Sequence, residues 1–354
     1  MSDLLRALPK IKQNNPPGLR PPPRPLTTAD EDGSSDSSAS SASTNDSIDT
    51  LRPSSREENS LPQNPWTRYF SQELYLDHQT PDYHATYHVY LTPPTDRNKG
   101  PLFICHHGAG ASGMSFARFA TSVKAVMPSA GILSLEARDH GSVITSPSGE
   151  SLPPDFSIAT LAADALAMIT LTTQQMGWPK VPPSVFVGHS LGGAVCTHVA
   201  AEGSLGAQLV GFAVLDVVEG SAIEALQHMS TYLASRPPSF ASVDAAVEWH
   251  VRSRTIRDLE SARASVPSLL IRERETERWR WKTDLWATKA WWEGWFMGMS
   301  KFQLQVIPEA GHFIQEDVPE KTAQLMTEFF KRNDRSSLVL PPKVSELLAQ
   351  GKKV

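Results

Sequence analysis

Short apolar runs alternate with segments of helical periodicity along most of the chain, and this alternation limits the possible folds more than any other feature. The runs at 101–107 (PLFICHH), 131–138 (GILSLEAR) and 184–190 (SVFVGHS) are short and end at turn residues, as strands do. Segments of helical period lie between them, at 115–127 and 157–176. Strands that are apolar throughout must be covered on both faces. We therefore predict an α/β fold with a doubly wound, mostly parallel sheet.

Composition and charge exclude several classes of function. The formal net charge is -5 and no basic stripe is visible, so we expect no nucleic-acid partner. Cys105 and Cys196 lie in apolar or helix-like segments, and we interpret both as buried free thiols. The N-terminal residues lack the apolar core of a signal peptide, and no run reaches the ~18 apolar residues of a membrane span. We therefore expect an intracellular protein, in the cytoplasm, the nucleus or both, with no membrane segment.

The chain divides into three parts by composition. Residues 1–60 are rich in Pro, Ser and acidic side chains, which bury little apolar area, so a disordered tail is predicted there. Residues 61–335 carry the alternating pattern, and residues 336–354 are interpreted as a tail with a short helix. Within the domain, about 217–298 has helical period and few strand candidates, which is typical of a helical cap inserted over the strand ends. Six tryptophans at 279–295 are assigned mainly to packing in this cap, with an aromatic substrate-facing surface as the alternative.

A nucleophilic serine is predicted from one motif. The segment VFVGHSLGGAV places Ser190 between Gly188 and Gly192, directly after a strand and before a helix. A G-x-S-x-G sequence in this position is typical of a nucleophile elbow, whose sharp turn presents the hydroxyl at the edge of the sheet. The helix that begins at Leu191 directs its free amides at the incoming carbonyl oxygen. Ser190 is therefore the candidate nucleophile, and the Leu191 amide is one candidate donor of an oxyanion hole.

The second oxyanion donor is expected in the glycine-rich turn CHHGAGASG, residues 105–113, which also follows a strand. In this architecture the residue after His107 and Gly108 supplies the amide, which makes it Ala109. A glycine-rich turn could instead bind a phosphate. The lysine of a phosphate-binding loop is absent, so we prefer the oxyanion interpretation.

The candidate general base is His312. The segment KFQLQVIPEAGHFIQED predicts a strand at 302–307, a turn and then Gly311–His312, and a histidine after the last strand can reach the nucleophile. The other histidines near turns are assigned to packing or hydrogen bonding; they are His106, His107, His140 and His189.

The acid must orient the imidazole, so we expect it at the end of a strand between Ser190 and His312. Asp216 ends the apolar run LVGFAVLD and meets this requirement. Capping of the next helix is the alternative role for Asp216. Its rivals as the acid are Glu219, Asp284 and Asp317, the last of which is close to His312 in the sequence.

Longer motifs resemble those of one family, the protein phosphatase methylesterases, over about residues 64–332. The matching segments are NPWTRYF, HHGAGASGMSFA, GHSLGGAV, LDVVEGSAIEAL, RTIRDLESAR, WEGWF and FQLQVIPEAGHFIQED. The resemblance implies an α/β-hydrolase fold in which Ser190, Asp216 and His312 are the nucleophile, the acid and the base. It also implies a serine carboxylesterase that needs no metal or other cofactor. The implied substrate and partner is the protein phosphatase 2A catalytic subunit, whose C-terminal leucine methyl ester would be removed.

The sequence departs from the family pattern at one place. Residues 294–300 continue directly into 301–306, where the family carries a further strand and helix, so about thirty residues, the size of one such unit, are missing. Because this unit is missing, we consider two alternatives to the phosphatase methylesterase activity. One is a catalytically impaired protein that binds the phosphatase, and the other is a general hydrolase of small esters.

A second strand assignment stays open because of the missing unit. Residues 266–273 (VPSLLIRE) resemble a strand, which a helix at 283–297 and a strand at 302–307 could follow as a right-handed unit. Glu273 or Glu275 would then compete with Asp216 as the acid. The family resemblance places 266–273 in the cap instead, and we follow it.

Overall fold

A seven-stranded sheet lies at the centre of the structure, a computed structural model that describes residues 66–98, 100–216, 229–296 and 305–334. Its strands are β1 (Gln72–Gln79), β2 (His84–Thr92), β3 (Leu102–His106), β4 (Gly131–Leu135), β5 (Val143–Thr145), β6 (Ser184–His189) and β7 (Leu209–Leu215). The order is β1-β2-β4-β3-β6-β7, with β5 paired to β2. The pairs among β4, β3, β6 and β7 are parallel, and those of β2 with β1, β4 and β5 are antiparallel. The predicted α/β class is confirmed. The predicted tails at 1–60 and 336–354 lie outside the described residues.

Helices pack on both faces of this sheet, and others lie in residues 229–296. Their bounds are α1 (Ala117–Val126), α2 (Ile158–Gln175), α3 (Leu191–Glu202), α4 (Val243–Arg252), α5 (Leu259–Ser265), α6 (Ile314–Asp317) and α7 (Pro319–Asn333). Side-chain caps start several of them; for example, Ser157 accepts the Thr160 amide of α2 and Asp258 accepts the Ser261 amide of α5. None of the helices in these ranges is long and apolar enough to cross a membrane.

The alternation of side chains along β3 explains why its sequence is apolar throughout. Leu102 and Ile104 pack with the residues of α2 and α3 on one face of the sheet, and Phe103 and Cys105 pack with α1 and α7 on the other. Both faces are therefore buried, as a continuous apolar run predicts. Cys105 and Cys196 are buried free thiols, which agrees with the sequence interpretation.

β7 is an edge strand within the described residues, because β6 is its only described neighbour in the sheet. Most of its residues are half-buried, and Phe212 is 37% exposed. The predicted strand at 302–307 is wrong for residues 305–307, which have irregular backbone, and residues 301–304 lie outside the described ranges.

Residues 229–296, called the cap segment below, hold α4, α5 and a small antiparallel sheet. The sheet has the order β8-β10-β9, with bounds β8 (Ser239–Phe240), β9 (Leu270–Arg272) and β10 (Trp279–Trp281). The sequence analysis expected a helical cap with few strands and did not place these three, because strands of two or three residues leave no periodic signal in a sequence. The helix at 283–297 that the second strand assignment required is not present in residues 283–296, where the chain forms short 3₁₀ turns at Trp286–Trp291 and Glu293–Phe296.

The second strand assignment for 266–273 is wrong too. Val266–Leu269 is a 3₁₀ turn, and β9 pairs antiparallel with β10 in the cap segment and with no described strand of the central sheet. Packing accounts for most of the six tryptophans, as predicted: Trp279, Trp292 and Trp295 are buried, and Trp281 and Trp291 pack partly buried against the core. Trp286 is exposed, and Trp281 also lines the cavity described below.

Two phenylalanines that face each other across β6 and β7 provide a stability test. Phe186 is fully buried, and its register partner Phe212 is partly exposed on the edge strand. Phe186→Ala should lower the free energy of unfolding by about 3–5 kcal/mol, because it removes a buried ring and leaves a cavity. Phe212→Ala should cost less than about 1.5 kcal/mol, since Phe212 is 37% exposed and gains less from burial than Phe186. Urea unfolding followed by fluorescence measures both. Equal losses of unfolding free energy in the two variants would show that the outer edge of β7, where Phe212 lies, is covered.

Candidate active site

Ser190 lies on a sharp turn between β6 and α3. Its backbone has φ 48° and ψ -116°, in a region that side chains rarely adopt, and its side chain is nearly buried. The Ser190 N–H donates to the Leu215 carbonyl at 3.0 Å, which extends the β6–β7 pairing by one residue. The sequence-predicted elbow is therefore present, with Ser190 at the carboxyl end of a central strand.

Two glycines permit this turn. A Cβ on Gly188 would lie 2.0 Å from the Gly192 carbonyl oxygen, and one on Gly192 would lie 2.1 Å from the His106 carbonyl oxygen. These approaches involve backbone atoms that cannot move aside, so only glycine fits at either position. The G-x-S-x-G pattern thus has a steric cause, which is the close packing of α3 against β6 and β3.

Asp216 and His312 form a hydrogen-bonded pair. The His312 Nδ1–H donates to Asp216 Oδ2, and the side chains are 50% and 42% exposed for His312 and Asp216, respectively. Asp216 follows β7 immediately and has φ 53°, so its chain also turns sharply at the strand end. Because β6 and β7 are parallel neighbours, Asp216 and Ser190 lie at the same edge of the sheet.

The loop that carries His312 is held by side chains from three elements. Asp317, whose side chain is almost fully buried, accepts the Gly311 amide at 2.6 Å and the Arg257 amide at 2.7 Å. The Arg257 guanidinium donates to the Glu309 carbonyl at 2.6 Å. Asp317 is therefore occupied as a structural anchor and does not contact the imidazole as a rival acid would.

His189 holds the same loop from the elbow side. Its Nε2–H donates to the His312 carbonyl oxygen at 2.9 Å, and its ring packs on those of His312 and Phe313 at 4.7 Å and 5.0 Å between centroids. Burial holds the pKa of His189 well below its ordinary value, with the nearby His312 adding to the effect. His189 is therefore a neutral donor at physiological pH. The sequence analysis assigned it only to packing or hydrogen bonding and missed its contact with the base.

The remaining sequence-predicted rivals lie elsewhere. Asp284 accepts the Trp286 amide at 2.9 Å at the start of a turn, and Glu273 pairs with Thr276 and Arg278 in the β9–β10 connection. Glu275 is exposed in that same connection, and Glu219 lies outside the described residues. Among the described acids, Asp216 is the one that contacts His312.

The glycine-rich turn after β3 faces Ser190 across the site. The Gly110 N–H donates to His140 Nε2 at 2.9 Å, and the Ala111 N–H donates to the Gly108 carbonyl at 3.1 Å. The Ala109 amide, between Gly108 and Gly110, has no acceptor among the described residues. The Leu191 amide is free for a different reason, since it starts α3 and has no acceptor within the helix.

His140 keeps this turn in place only while it is neutral. Its Nδ1–H donates to the Arg138 carbonyl at 2.9 Å, so Nε2 is available to accept from Gly110. Burial lowers the pKa of His140 to about 4, so the ring remains uncharged at physiological pH. His107 acts similarly, because its Nε2 accepts the Ala137 amide at 3.0 Å. These buried histidines thus fix the backbone from which the Ala109 amide projects.

A cavity of about 420 Å³ lies over these groups. It is lined by Ser190, His312 and Ala109, and by residues of the cap segment that include Arg236, Trp281 and Leu285. The structure therefore brings Ser190, His312 and Ala109 to one cavity, with Leu191 following Ser190 and Asp216 bonded to His312. No group of three or more His, Cys, Asp or Glu side chains in the described ranges is arranged to hold a metal ion.

Comparison with known proteins assigns the fold. Residues 103–325 match the family model described as the alpha/beta hydrolase family. Among solved structures, E-2-(acetamidomethylene)succinate hydrolase superposes with a TM-score of 0.54 over 73% of this chain and 100% of that chain, at 16% sequence identity. This likeness shows a shared fold, and the predicted α/β-hydrolase architecture is confirmed.

Curated relatives are much more similar in sequence. Protein phosphatase methylesterase 1 of Aspergillus fumigatus is 45% identical over 99% of this chain and 93% of the relative, and that of Neurospora crassa is 46% identical over 92% and 88%. The alignment with the first spans 397 positions, more than the 354 residues of this chain, so the relative contains residues that have no counterpart here. The protein of the same name from Schizosaccharomyces pombe is 35% identical over 79% of this chain and 87% of the relative. On this similarity the chain belongs to the protein phosphatase methylesterase family of α/β-hydrolases.

Proposed function

We propose that the protein is a serine carboxylesterase that removes the methyl ester from the C-terminal leucine of the protein phosphatase 2A catalytic subunit. The observation that carries the proposal is the Asp216–His312 hydrogen bond beside the cavity that contains Ser190. The name shared by the relatives supports a protein phosphatase as the substrate. This substrate would place the enzyme inside the cell, in the cytoplasm or the nucleus.

The proposed reaction uses Ser190 as the nucleophile and His312 as the base. The Ser190 oxygen attacks the ester carbonyl carbon while His312 Nε2 takes the hydroxyl proton, and the resulting tetrahedral oxyanion accepts hydrogen bonds from the Ala109 and Leu191 amides. The intermediate collapses to an acyl-enzyme, and methanol leaves with the proton from His312. Water then attacks the acyl group, gives its proton to His312, and the free carboxylate departs as Ser190 regains its hydrogen. The chemistry is complete without a cofactor.

Asp216 is proposed to act through His312. A carboxylate that accepts from Nδ1–H fixes the tautomer in which Nε2 is free to take the serine proton, and it stabilises the imidazolium that forms. The Asp216 and His312 side chains are about half exposed in the described structure. A bound protein substrate would cover them, and the exclusion of water would strengthen the hydrogen bond between them.

The walls of the cavity suit a leucine at the ester. Apolar side chains from the cap segment and from the His312 loop surround the space beside Ser190; they are Ile256, Leu269, Leu285 and Phe313. Pockets of this size commonly combine an apolar wall with a few polar groups that orient the ligand. We infer that the leucine side chain occupies this wall, while the ester carbonyl meets the Ala109 and Leu191 amides.

Ser190→Ala should abolish methanol release from a peptide that ends in a leucine methyl ester. We expect kcat to fall by at least about 10⁴, because the attacking oxygen is removed. The variant should still bind the methylated phosphatase, since its cap segment and cavity walls are unchanged. Methanol release by coupled assay and binding by surface plasmon resonance measure the two effects separately.

Two outcomes would contradict the proposal. Unchanged turnover in Ser190→Ala would remove this serine from the mechanism. A wild-type protein that binds the phosphatase but releases no methanol would instead be a catalytically impaired binder, and one that hydrolyses only small esters would be a general hydrolase.

Asp216→Asn should lower kcat by about 10⁴, because an asparagine favours the wrong tautomer of His312. Glu273→Gln is the matched control, since Glu273 lies in the β9–β10 connection and does not contact His312. The control should turn over at the wild-type rate in the same methanol assay. A damaging Glu273→Gln together with an active Asp216→Asn would reassign the acid.

His189→Phe should lower kcat about fivefold and change KM little. It keeps a ring of similar size but removes the donor to the His312 carbonyl, a loss of about 1 kcal/mol. His189→Gln, which keeps a donor, should recover part of kcat. Steady-state kinetics with the leucine methyl ester peptide distinguish these effects. An unchanged kcat in His189→Phe would show that this bond does not position the base.

A further inference from the structure

Arg236 occupies an unusual place in the wall of the Ser190 cavity. Its guanidinium carbon stacks over the Trp281 ring at 3.5 Å from the centroid. The stacking partner is itself fixed, because the Trp281 Nε1–H donates to the Pro237 carbonyl at 2.8 Å. The guanidinium is therefore held in one position at the cavity by its immediate chain neighbours and by β10.

The positive charge of Arg236 has no described partner. Its Nε is buried without a hydrogen-bond acceptor, and no ion pair of the described residues includes it. Burial lowers the pKa of Arg236, yet a guanidinium stays protonated in proteins. Removing such a cation from water without an anion is costly. A site of this kind is stabilised when a ligand brings an oxygen anion to it.

The charges around Arg236 also favour an anion. Arg254 lines the same cavity, and Lys282 lines a small neighbouring pocket to which Arg236 also contributes. The acidic side chain in the lining, Glu316, is buried against Ser265, and burial raises its pKa well above its ordinary value. Even an ionised Glu316 would leave the two arginines of the lining in excess. Burial lowers the pKa of His250 to about 4, so this ring adds no charge there. The cavity wall formed by the described residues is therefore positive.

We propose that Arg236, stacked on Trp281, is a binding subsite for an acidic side chain in the acyl part of the ester substrate. The subsite would select a peptide that carries an Asp or Glu upstream of its C-terminal methyl ester. The proposal rests on the esterase function proposed above, which supplies the peptide, and adds a specificity that the catalytic groups do not provide. A carboxylate bound to a guanidinium forms charge-assisted, often bidentate hydrogen bonds, which suits the free donors of Arg236.

The test uses matched pairs of peptides that end in a leucine methyl ester and differ only by Asp or Asn at one upstream position, with each position taken in turn. For the best position, wild-type kcat/KM should favour the Asp peptide by about tenfold or more, the ratio expected for a hydrogen bond to a charged group. Arg236→Met keeps an apolar chain over Trp281 and should reduce this preference to less than about twofold. Arg236→Lys keeps the charge without the fork and should retain part of it.

Arg263→Gln is the control. Arg263 is exposed on α5, pairs with Glu260 and does not line the cavity, so this variant should keep the wild-type preference. Equal loss of kcat/KM for the Asp and Asn peptides in Arg236→Met would show that Arg236 only packs against Trp281. That result, or a wild-type enzyme that does not distinguish the peptides at any position, would overturn the proposal.

A binding measurement separates this proposal from the esterase function. Fluorescein-labelled versions of the same peptides are titrated against Ser190→Ala and against Ser190→Ala/Arg236→Met by fluorescence anisotropy. Tighter binding of the Asp peptide by about tenfold, lost in the double variant, would support the subsite even if the wild type released no methanol. Equal affinities for both peptides in Ser190→Ala would overturn it, whatever the turnover.

Discussion

The parallel pairing of β6 with β7 is the constraint on which the site depends. The hydrogen bond from the Ser190 amide to the Leu215 carbonyl continues this pairing beyond the last residue of β6. Both chains then turn with positive φ, at Ser190 and at Asp216, so that one strand end presents the hydroxyl and the next presents the carboxylate. Neighbouring parallel strands are about 4.8 Å apart, and this spacing determines the separation of the turns at Ser190 and Asp216. Only the imidazole has to be brought in from elsewhere.

His312 is brought in without support from a described strand. The relative from Aspergillus fumigatus contains residues without a counterpart here, and β7 is the edge of the described sheet, yet the His312 imidazole contacts Asp216. Side-chain hydrogen bonds explain how. Asp317 fixes Gly311 and ties it to Arg257 of the cap segment, while His189 donates to the carbonyl of His312 itself. The loop is thus anchored next to the elbow by these side-chain contacts.

Local features of the sequence predicted most of the fold and the candidate site. The segments that form β3, β4 and β6 are buried on both faces, so they appear in the sequence as continuous apolar runs. The glycines around Ser190 are required by backbone contacts, so they appear as the G-x-S-x-G motif. The strands of the cap segment are too short to leave such a pattern, and residues 305–307, predicted as part of a strand, have irregular backbone. The position of His189 depends on His312, 123 residues away, and that of Arg236 depends on Trp281, 45 residues away. The pattern of a single sequence does not reveal such distant partners.

The central claim is that Ser190, Asp216 and His312 form a working catalytic set in this shortened chain. Labelling with a fluorophosphonate probe tests it most directly, because the probe reacts with a serine whose surroundings activate it and stabilise an oxyanion. Intact-mass spectrometry of the wild-type protein should show a single adduct, and peptide mapping should place it on Ser190. An unlabelled protein that is folded by circular dichroism, or an adduct on another serine, would contradict the account.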